Sequence, residues 1–523
     1  MSVYILWYYH GYTNNMSKFG NIFIRKHLSA PFHPRPETQV PLPVGAAALR
    51  RVFDGCGDFV LRPVWPGGAA REGICVCWLD GLTDGEAVSR DVLQPLTDAG
   101  RLPPGGDAAW LEALLRGAVF SCTVSRCDDM DALCARLLAG CCAVVFDRLG
   151  AAAAFETRSA VGRAVGLPTV EKSVKGGKDA FVEVLRTNTA LVRRRLRTGA
   201  LKLEQTVVGR KSGTAVGVMY LEGVAAPETV AALRRRLDAI DVDGLTAAGG
   251  LEQYLTDRPG SPFPQLIHTE RPDKFAGELL SGRVGLLVDG LPIGFLLPAT
   301  LPHFMKVAED RAQHFLVASA LTLLRWLSML ISLLFPAILV AVSMYHQEMI
   351  PTKLLISMIA AKQEVPFSAA FEVLTMLVAF ELLMEAGVRL PDPVGDTVSI
   401  IGALIVGQSA VSARIVSPIS VIVVATSAIC GFTQPSRDLG AALRLLRFAL
   451  VFLATFFGLY GIAAGLALLV WYLCTLESFG VPYLSPLTEG GVREVLRALL
   501  RPPLPRVKTR EAALRTPDRR SQK

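Results

Sequence analysis

The feature that most constrains this chain of 523 residues is an apolar block from about residue 315 to residue 476. Residues 448–476 carry no charged side chain, and residues 398–432 carry only Arg414. A helix needs about 20 apolar residues to cross the hydrocarbon core of a bilayer, and in lipid such runs must be helical. A buried soluble core is the alternative, but soluble helices rarely exceed about 25 residues and keep a polar face. We therefore predict an integral membrane protein.

Charged residues are concentrated outside this block, before residue 315 and after residue 485. The net charge is +8, and residues 497–523 form an especially basic tail. Beside a membrane domain, such a tail more often sets topology by staying cytoplasmic than it binds nucleic acid. The first residues lack the cationic flank of a signal peptide. We expect the soluble half and the tail on the cytoplasmic side, with no nucleic-acid partner.

Two pairs of segments in the soluble half match each other at the same offset of 142 residues. Residues 74–88 (ICVCWLDGLTDGEAV) match 216–230 (VGVMYLEGVAAPETV), and 137–147 (LLAGCCAVVFD) match 279–289 (LLSGRVGLLVD). The first pair has the pattern of a strand, a turn and an amphipathic helix. Any two such units share a general likeness, but two matches in one register favour an internal duplication. The predicted fold class is an α/β soluble N-terminal region of two similar subdomains, followed by an all-α polytopic membrane domain of about 4–6 transmembrane helices.

The composition along the chain divides it into five predicted segments. They are a disordered or linker extension (1–45), a first α/β subdomain (46–150), a second α/β subdomain (151–300), a transmembrane helical domain (301–485) and a basic cytoplasmic tail (486–523). The extension is rich in proline, which is typical of linkers.

The membrane half is predicted to contain spans at 316–345, 366–384 and 448–476. Residues 398–432 form either one span plus a half-helix or two spans broken at Ser417-Pro418. Residues 349–362 are too short to cross and are expected to be interfacial or re-entrant. Since the soluble half and the tail are expected on one side, the number of spans should be even.

No grouping of residues in the soluble half indicates catalysis. Residues 209–214 (GRKSGT) lack the glycine spacing and Gly-Lys-Ser order of a phosphate-binding loop. The cysteines form no CxxC pair, and no histidine lies near them at the spacing of metal ligands. We therefore expect no enzyme, no cofactor and no metal. The arginines at 193–195 lie on a predicted helix, where a solvated face is favoured over a contact with anionic lipid or a partner.

Five charged residues in the membrane half are candidates for an ion path or for intramembrane charges: Glu372, Glu381, Glu385, Arg325 and Arg414. Charges inside a membrane helix are costly and usually face a bundle interior or a water path. On one helix Glu381 and Glu385 share a face, while Glu372 points nearly opposite. One acidic face would then contribute to a ring that attracts cations in an oligomer. Alternatively, each carboxylate pairs with an arginine such as Arg325 or Arg414, or reaches the headgroups.

Several ordered motifs give the chain its resemblance to a known family. They are GGKDAFVE (176–183), TNTALVRRRLR (187–197), TERPD (269–273), GRVGLLVDGLP (282–292), HQEMIPT (346–352), EAGVRLP (385–391), IIGALIVGQSAVSARIVSP (400–418) and SFGVPYLSP (478–486). With these motifs the chain resembles the GerA family, the A subunits of bacterial spore germinant receptors. Gly177 stands where the family often has proline, and residues 1–150 match poorly.

The resemblance implies a multi-pass protein of the spore inner membrane that acts with a transporter-like B subunit and a C-subunit lipoprotein. It also implies contact with membrane lipids and a homo-oligomeric ring whose helices conduct ions or relay a signal when germination begins. Two alternatives are the related stage V sporulation membrane protein associated with dipicolinate release and a secondary transporter. Transporters tend to have about 10 or more spans. The motif HQEMIPT favours the receptor subunit over the stage V protein.

Overall fold

The structure, a computed structural model, describes residues 42–65, 74–98, 105–118, 123–159, 175–245, 247–389 and 407–522, together with positions 103, 166, 168 and 171. Most of the predicted N-terminal extension and the beginning of the predicted span at 398–432 lie outside the described residues.

The first part of the chain forms a five-stranded antiparallel sheet with helices on it. Its helices are α1 (Ala46–Val52), α2 (Gly85–Ala87, continued by Val88–Leu93 and Gln94–Thr97), α3 (Asp107–Ala113, continued by Leu114–Ala118) and α4 (Met130–Leu138). Its strands are β1 (Phe59–Pro63), β2 (Ile74–Leu79), β3 (Val124–Cys127), β4 (Cys141–Phe146) and β5 (Ala151–Glu156), in the order β1-β2-β4-β5-β3. We call this the first sheet unit.

The next part of the chain forms the second sheet unit. Its helices are α5 (Leu185–Arg195), α6 (Pro227–Asp238), α7 (Ala248–Leu255), α8 (Pro272–Ser281) and α9 (Leu301–Phe304). Its strands are β6 (Leu201–Val208), β7 (Thr214–Leu221), β8 (Ile267–Thr269), β9 (Val284–Val288) and β10 (Gly294–Leu297), in the order β6-β7-β9-β10-β8.

The two sheet units repeat each other at the offset of 142 residues that separates the matching segments of the sequence. Phe59 pairs with Leu79 in the first sheet, and Leu201 pairs with Leu221 in the second. The same offset relates the β2–β4 register to the β7–β9 register and the β3–β5 register to the β8–β10 register. The structural repeat behind the predicted duplication is confirmed, and it extends through every strand of both sheets.

The central strands of both sheets are buried on both faces, which explains why those strands are continuously apolar. All six residues of β4 are buried. Val145 belongs to the apolar cluster on one face with α1 and α4, and Val144 belongs to the cluster on the other face with Trp110. Successive side chains of a strand point to opposite faces, so a strand covered on both sides has no polar alternation.

The remainder of the chain is mainly helical. Its helices are α10 (Phe315–Tyr345), α11 (Thr352–Lys362), α12 (Ala369–Arg389), α13 (Pro418–Phe432), α14 (Arg437–Thr475) and α15 (Val492–Leu499), and a short hairpin pairs β11 (Glu477–Ser478) with β12 (Val481–Pro482). Ser417 caps the start of α13 by accepting from the Ser420 N–H. The predicted break at Ser417-Pro418 is therefore confirmed.

Helix α14 reverses direction at Gly458. This residue has φ 59° and ψ −139°, a backbone conformation open to glycine and strained for other residues. A Cβ on Gly465 would lie 2.6 Å from Cδ2 of Leu450. Residues 15 apart on a straight helix are separated by about 22 Å. The two arms of α14, before and after Gly458, therefore lie side by side, and the predicted single span at 448–476 is wrong.

By length and composition, two helices in the described part of the chain are long and apolar enough to cross a membrane: Phe315–Tyr345, and Arg437–Thr475, which is folded into two arms at Gly458. The predicted count of four to six spans is not confirmed. Helix α12 has 21 residues but carries several charges, and α13 has only 15 residues. The predicted first span, 316–345, matches α10 to within one residue.

Candidate functional site

The helical part meets the second sheet unit through both ends of α14. One buried apolar cluster contains Leu301 and Phe304 of the sheet unit, Leu443 of the first arm and Leu473 of the second arm. At the far end of the arms, the Tyr345 hydroxyl donates to the carbonyl oxygen of Thr455 at 2.6 Å. The sheet unit and the helices therefore share one continuous core.

Three polar contacts fasten this junction. The Nδ1 atom of His268 lies 3.1 Å from Oδ2 of Asp438 at the start of α14. The guanidinium of Arg258 donates to the Thr475 hydroxyl at 3.0 Å, at the end of α14. Arg325 of α10 pairs with Asp310 at 2.6 and 2.9 Å in the segment that leads into that helix. The second sheet unit is therefore joined to both arms of α14, and the segment that follows it is joined to α10.

The charge on His268 depends on its two carboxylate neighbours. Its Nε2 atom lies 3.2 Å from Oε2 of Glu252, opposite the contact with Asp438. Burial alone lowers the pKa of His268, but these hydrogen bonds and charges outweigh burial and raise the pKa to about 9. His268 is therefore a cation at neutral pH.

A pH titration of stability tests this junction. The folded-state pKa lies above the ordinary value near 6.5, so protonated His268 stabilises the fold fully below about pH 6.5. That stabilisation, on the order of 1–3 kcal/mol, is lost as the pH rises through about 9. Thermal unfolding of the protein in detergent between these pH values should show the decline. The decline should shrink in His268→Gln and persist in His346→Gln, and an equal decline in His268→Gln would contradict the assignment.

Glu372 is buried between α12 and α13, with 1% of its surface exposed. Its Oε2 atom accepts from the Ser417 N–H and from the Ser420 hydroxyl, both at 2.9 Å. Its Oε1 atom lies 3.9 Å from Nζ of Lys362. A carboxylate at a helix N-terminus meets unsatisfied N–H groups and the positive end of the helix dipole. Glu372 therefore ties α12 to the start of α13.

Glu381 and Glu385 lie on a more accessible face of α12, with Glu385 exposed. The Glu381 carboxylate pairs with the Arg444 guanidinium of α14 at 2.9 Å. Arg447 is buried one turn further along and donates to the Ser427 hydroxyl at 3.1 Å. The structure buries Arg447 in the helix bundle and leaves the Arg444 side chain 31% exposed.

The other two candidate residues have partners that the sequence did not predict. Arg325 pairs with Asp310, which precedes the apolar block. Arg414 pairs with Glu364 at 2.9 Å on the surface. The alternative that an α12 carboxylate pairs with an arginine holds for Glu381, but its partner is not one of the two arginines that we named. Arg444, whose spacing to Glu381 in the sequence carries no signal, takes that place.

Among the described residues there is no group of three histidine, cysteine or acidic side chains that could hold a metal ion. The described cysteines are free thiols, and burial raises the pKa of several of them, to about 12 for Cys134.

The family model of the Bacillus/Clostridium GerA spore germination protein matches residues 47–513 of the chain. The chain belongs to the GerA family. The match includes residues 47–150, which the family motifs in the sequence do not cover. The GerA-type motifs in the sequence therefore mark one family over most of the chain.

Named relatives of this GerA-family chain cover most of its length. Spore germination protein KA of Bacillus subtilis (strain 168) is 35% identical over 87% of this chain and 84% of its own length. Spore germination protein GerLA of Bacillus cereus is 33% identical over 90% and 95%. The crystal structure of the N-terminal domain of the A subunit of the Bacillus megaterium spore germinant receptor GerK3 is 28% identical, with a TM-score of 0.40, and covers 50% of this chain and 99% of that domain.

Proposed function

We propose that this chain is the A subunit of a nutrient germinant receptor in the spore inner membrane, where it relays a signal to the membrane helices. The observation that carries the proposal is the junction in a GerA-family chain: the second sheet unit contacts both ends of α14 through His268–Asp438 and Arg258–Thr475, and the segment that follows the unit is joined to α10 through Arg325–Asp310. A change in the sheet unit therefore alters the packing of the helices that are apolar enough to span a membrane.

The acidic face of α12 is the candidate ion path in an oligomer of this chain. Glu381 is 40% exposed at its side chain and Glu385 is exposed, so both can face a neighbouring copy. A ring of carboxylates attracts cations. Glu372 has a different role, because its carboxylate is enclosed by Ser417, Ser420 and Lys362. All three carboxylates lie on one helix, and the burial of Glu372 distinguishes it from the acidic face formed by Glu381 and Glu385.

The proposed partners follow from the family. They are the transporter-like B subunit, the C-subunit lipoprotein, membrane lipids and further copies of this chain. Exposed apolar side chains on α10 and α14, such as Leu324, Leu327, Phe456 and Tyr460, supply a surface for lipid or for neighbouring helices.

The test is cation flux in liposomes that contain the purified protein with and without its B and C partners. We expect nutrient-triggered flux of monovalent cations that requires this chain. Glu381→Gln should lower the preference for cations, because it removes one carboxylate per copy from the ring. Glu228→Gln, an exposed carboxylate on α6, makes the same charge change far from the helices and should leave selectivity unchanged.

Glu372→Gln separates a structural role from a conducting one. It should lower the thermal unfolding midpoint while leaving the selectivity of the remaining flux unchanged. Unaltered selectivity in Glu381→Gln, with the complex verifiably assembled, would rule out the acidic ring. Absence of flux under every combination would leave the chain as a scaffold or relay.

A further inference from the structure

A cavity of about 240 Å³ lies away from the acidic face of α12. Its walls come from α8, from the segment that leads into α10, and from the C-terminal segment 485–513. Thr322, in the second turn of α10, is one lining residue. The cavity is therefore next to the first turns of a helix that is long and apolar enough to cross a membrane.

The C-terminal segment is folded against the second sheet unit, so this wall of the cavity is preformed. Arg510 donates to the Leu280 carbonyl oxygen at 2.9 Å, and Leu514 is 3% exposed. The Asp518 N–H donates to the Gly223 carbonyl oxygen at 3.2 Å. The basic tail predicted from the sequence therefore has a fixed conformation over part of its length.

Positive charge dominates the cavity. Among the described residues that line it, seven are lysine or arginine and four are aspartate or glutamate. Two of the four carboxylates are already neutralised: Glu278 lies 2.8 Å from Arg283 and 2.6 Å from Arg311, and Glu511 lies 3.1 Å from Arg283. Asp310 pairs with Arg325. Three of the four acids of the cavity, Glu278, Glu511 and Asp310, are therefore held in ion pairs, and Glu494 is the fourth.

Two arginines of the cavity are left without a carboxylate within 4 Å among the described residues. Arg501 donates to the carbonyl oxygens of Gln313 and Arg311 at 3.0 and 2.8 Å, and Arg497 donates to the Thr509 hydroxyl at 3.1 Å. Both side chains are half-buried. Partly desolvated guanidinium groups that contact only neutral oxygens favour an anion nearby.

An unpartnered buried nitrogen lies in the same cavity. His303 is 7% exposed, and its Nε2 atom has no hydrogen-bond partner among the described residues. Its Nδ1 atom lies 3.8 Å from Oε2 of Glu278. A buried polar atom without a partner is costly, and a bound ligand with a hydroxyl or an acidic oxygen would satisfy it.

We propose that this cavity binds a phosphate-bearing anion, held by Arg497, Arg501 and His303. Guanidinium groups form paired hydrogen bonds with phosphate oxygens, which lysine cannot do in the same geometry. The position beside Thr322 of α10 admits the headgroup of an anionic lipid, and the volume also admits a small soluble phosphate. The shared chemistry is a phosphate group, and the site is independent of the role proposed for α12.

The test uses the full chain in detergent and in lipid nanodiscs. Isothermal titration with inorganic pyrophosphate measures the soluble source. Native mass spectrometry of protein from nanodiscs of phosphatidylglycerol mixed with phosphatidylcholine measures retained anionic lipid. Loss of one charge-assisted contact should weaken binding about tenfold or more in Arg497→Gln and in Arg501→Gln. Arg506→Gln, an exposed residue of the same segment that does not line the cavity, is the matched control.

Each result has a defined meaning. Saturable pyrophosphate binding that the cavity variants weaken supports a soluble phosphate, and selective retention of phosphatidylglycerol that they abolish supports a lipid headgroup. Arg497→Gln is the variant less prone to misfolding. Among the described residues Arg497 donates only to the Thr509 hydroxyl, whereas Arg501 donates to the backbone at Gln313. Binding that is absent for both probes, or equally weakened by Arg506→Gln, overturns the proposal.

Discussion

Asp58→Asn should destabilise the protein by about 3–5 kcal/mol, because it leaves Arg193 buried without a counter-charge. Arg193 is fully buried and Asp58 is 5% exposed. The guanidinium forms two hydrogen bonds with the carboxylate: Nε donates to Oδ2, and Nη2 donates to Oδ1 at 2.6 Å. This ion pair joins the first sheet unit to α5 of the second.

The backbone beside Asp58 also joins the two sheet units, so the effect should spread across their interface. The Gly57 N–H donates to the Leu203 carbonyl oxygen at 2.7 Å, and the Leu203 N–H donates to the Gly55 carbonyl oxygen at 3.1 Å. Thermal and urea unfolding of the full chain in detergent measures the loss. A cooperative transition should split into two when the units lose their shared contacts.

A second ion pair between the same units provides the control. Arg186 pairs with Asp80, and their side chains are 54% and 37% exposed. Exposed pairs contribute less than about 1 kcal/mol, so Asp80→Asn should have a small effect. The double variant Asp58→Leu with Arg193→Met removes both charges and should recover part of the stability. Equal effects of Asp58→Asn and Asp80→Asn would show that burial does not govern these pairs.

Gly458→Ala should destabilise the helical part by about 2–4 kcal/mol, from backbone strain and crowding together. The new Cβ would lie 3.1 Å from Cε1 of His346 and 3.2 Å from Cδ2 of Tyr345. Gly440→Ala in the same helix is the control, because its Cβ meets nothing within 4 Å. That change should be neutral or stabilising by up to about 1 kcal/mol. The thermal unfolding midpoint in detergent measures both.

A distance measurement tests the reversal at Gly458 directly. Spin labels at Leu445 and Leu468, both exposed, would be about 35 Å apart on a straight helix. On two neighbouring arms they should be separated by about 10–20 Å. A long distance would contradict the turn and restore a single span at 448–476.

Much of the fold was predictable because it depends on local patterns. The offset of 142 residues predicted two similar α/β units, since a repeated unit keeps its apolar spacing and its turns. The start of α13 was predictable at Ser417-Pro418, because a capping serine followed by proline is a local signal. The apolar length of 316–345 likewise predicted α10.

The candidate site was less predictable, because partners distant in sequence decide it. The sequence placed Glu372 and Glu381 on opposite faces, but only the fold encloses the first carboxylate with Ser417 and Ser420 and joins the second to Arg444. The run of arginines at 193–195 was predicted to be a solvated face, and this is wrong for Arg193. Its charge sign was visible in the sequence, whereas its burial against Asp58 was not.

The sequence by itself determined which segments are apolar, which units repeat and which family the chain belongs to. The first two properties follow from composition and spacing along the chain, and the family follows from the resemblance of the ordered motifs. The tertiary structure decided the turn within α14 and the fixed C-terminal wall of the cavity. The close approach of other side chains to Gly458 and Gly465 depends on which atoms lie where a Cβ would be. The course of residues 485–513 depends on ion pairs such as Arg283–Glu511, whose members are 228 residues apart. Contacts between residues that are far apart in the sequence leave no periodic pattern along it, so only the folded chain reveals them.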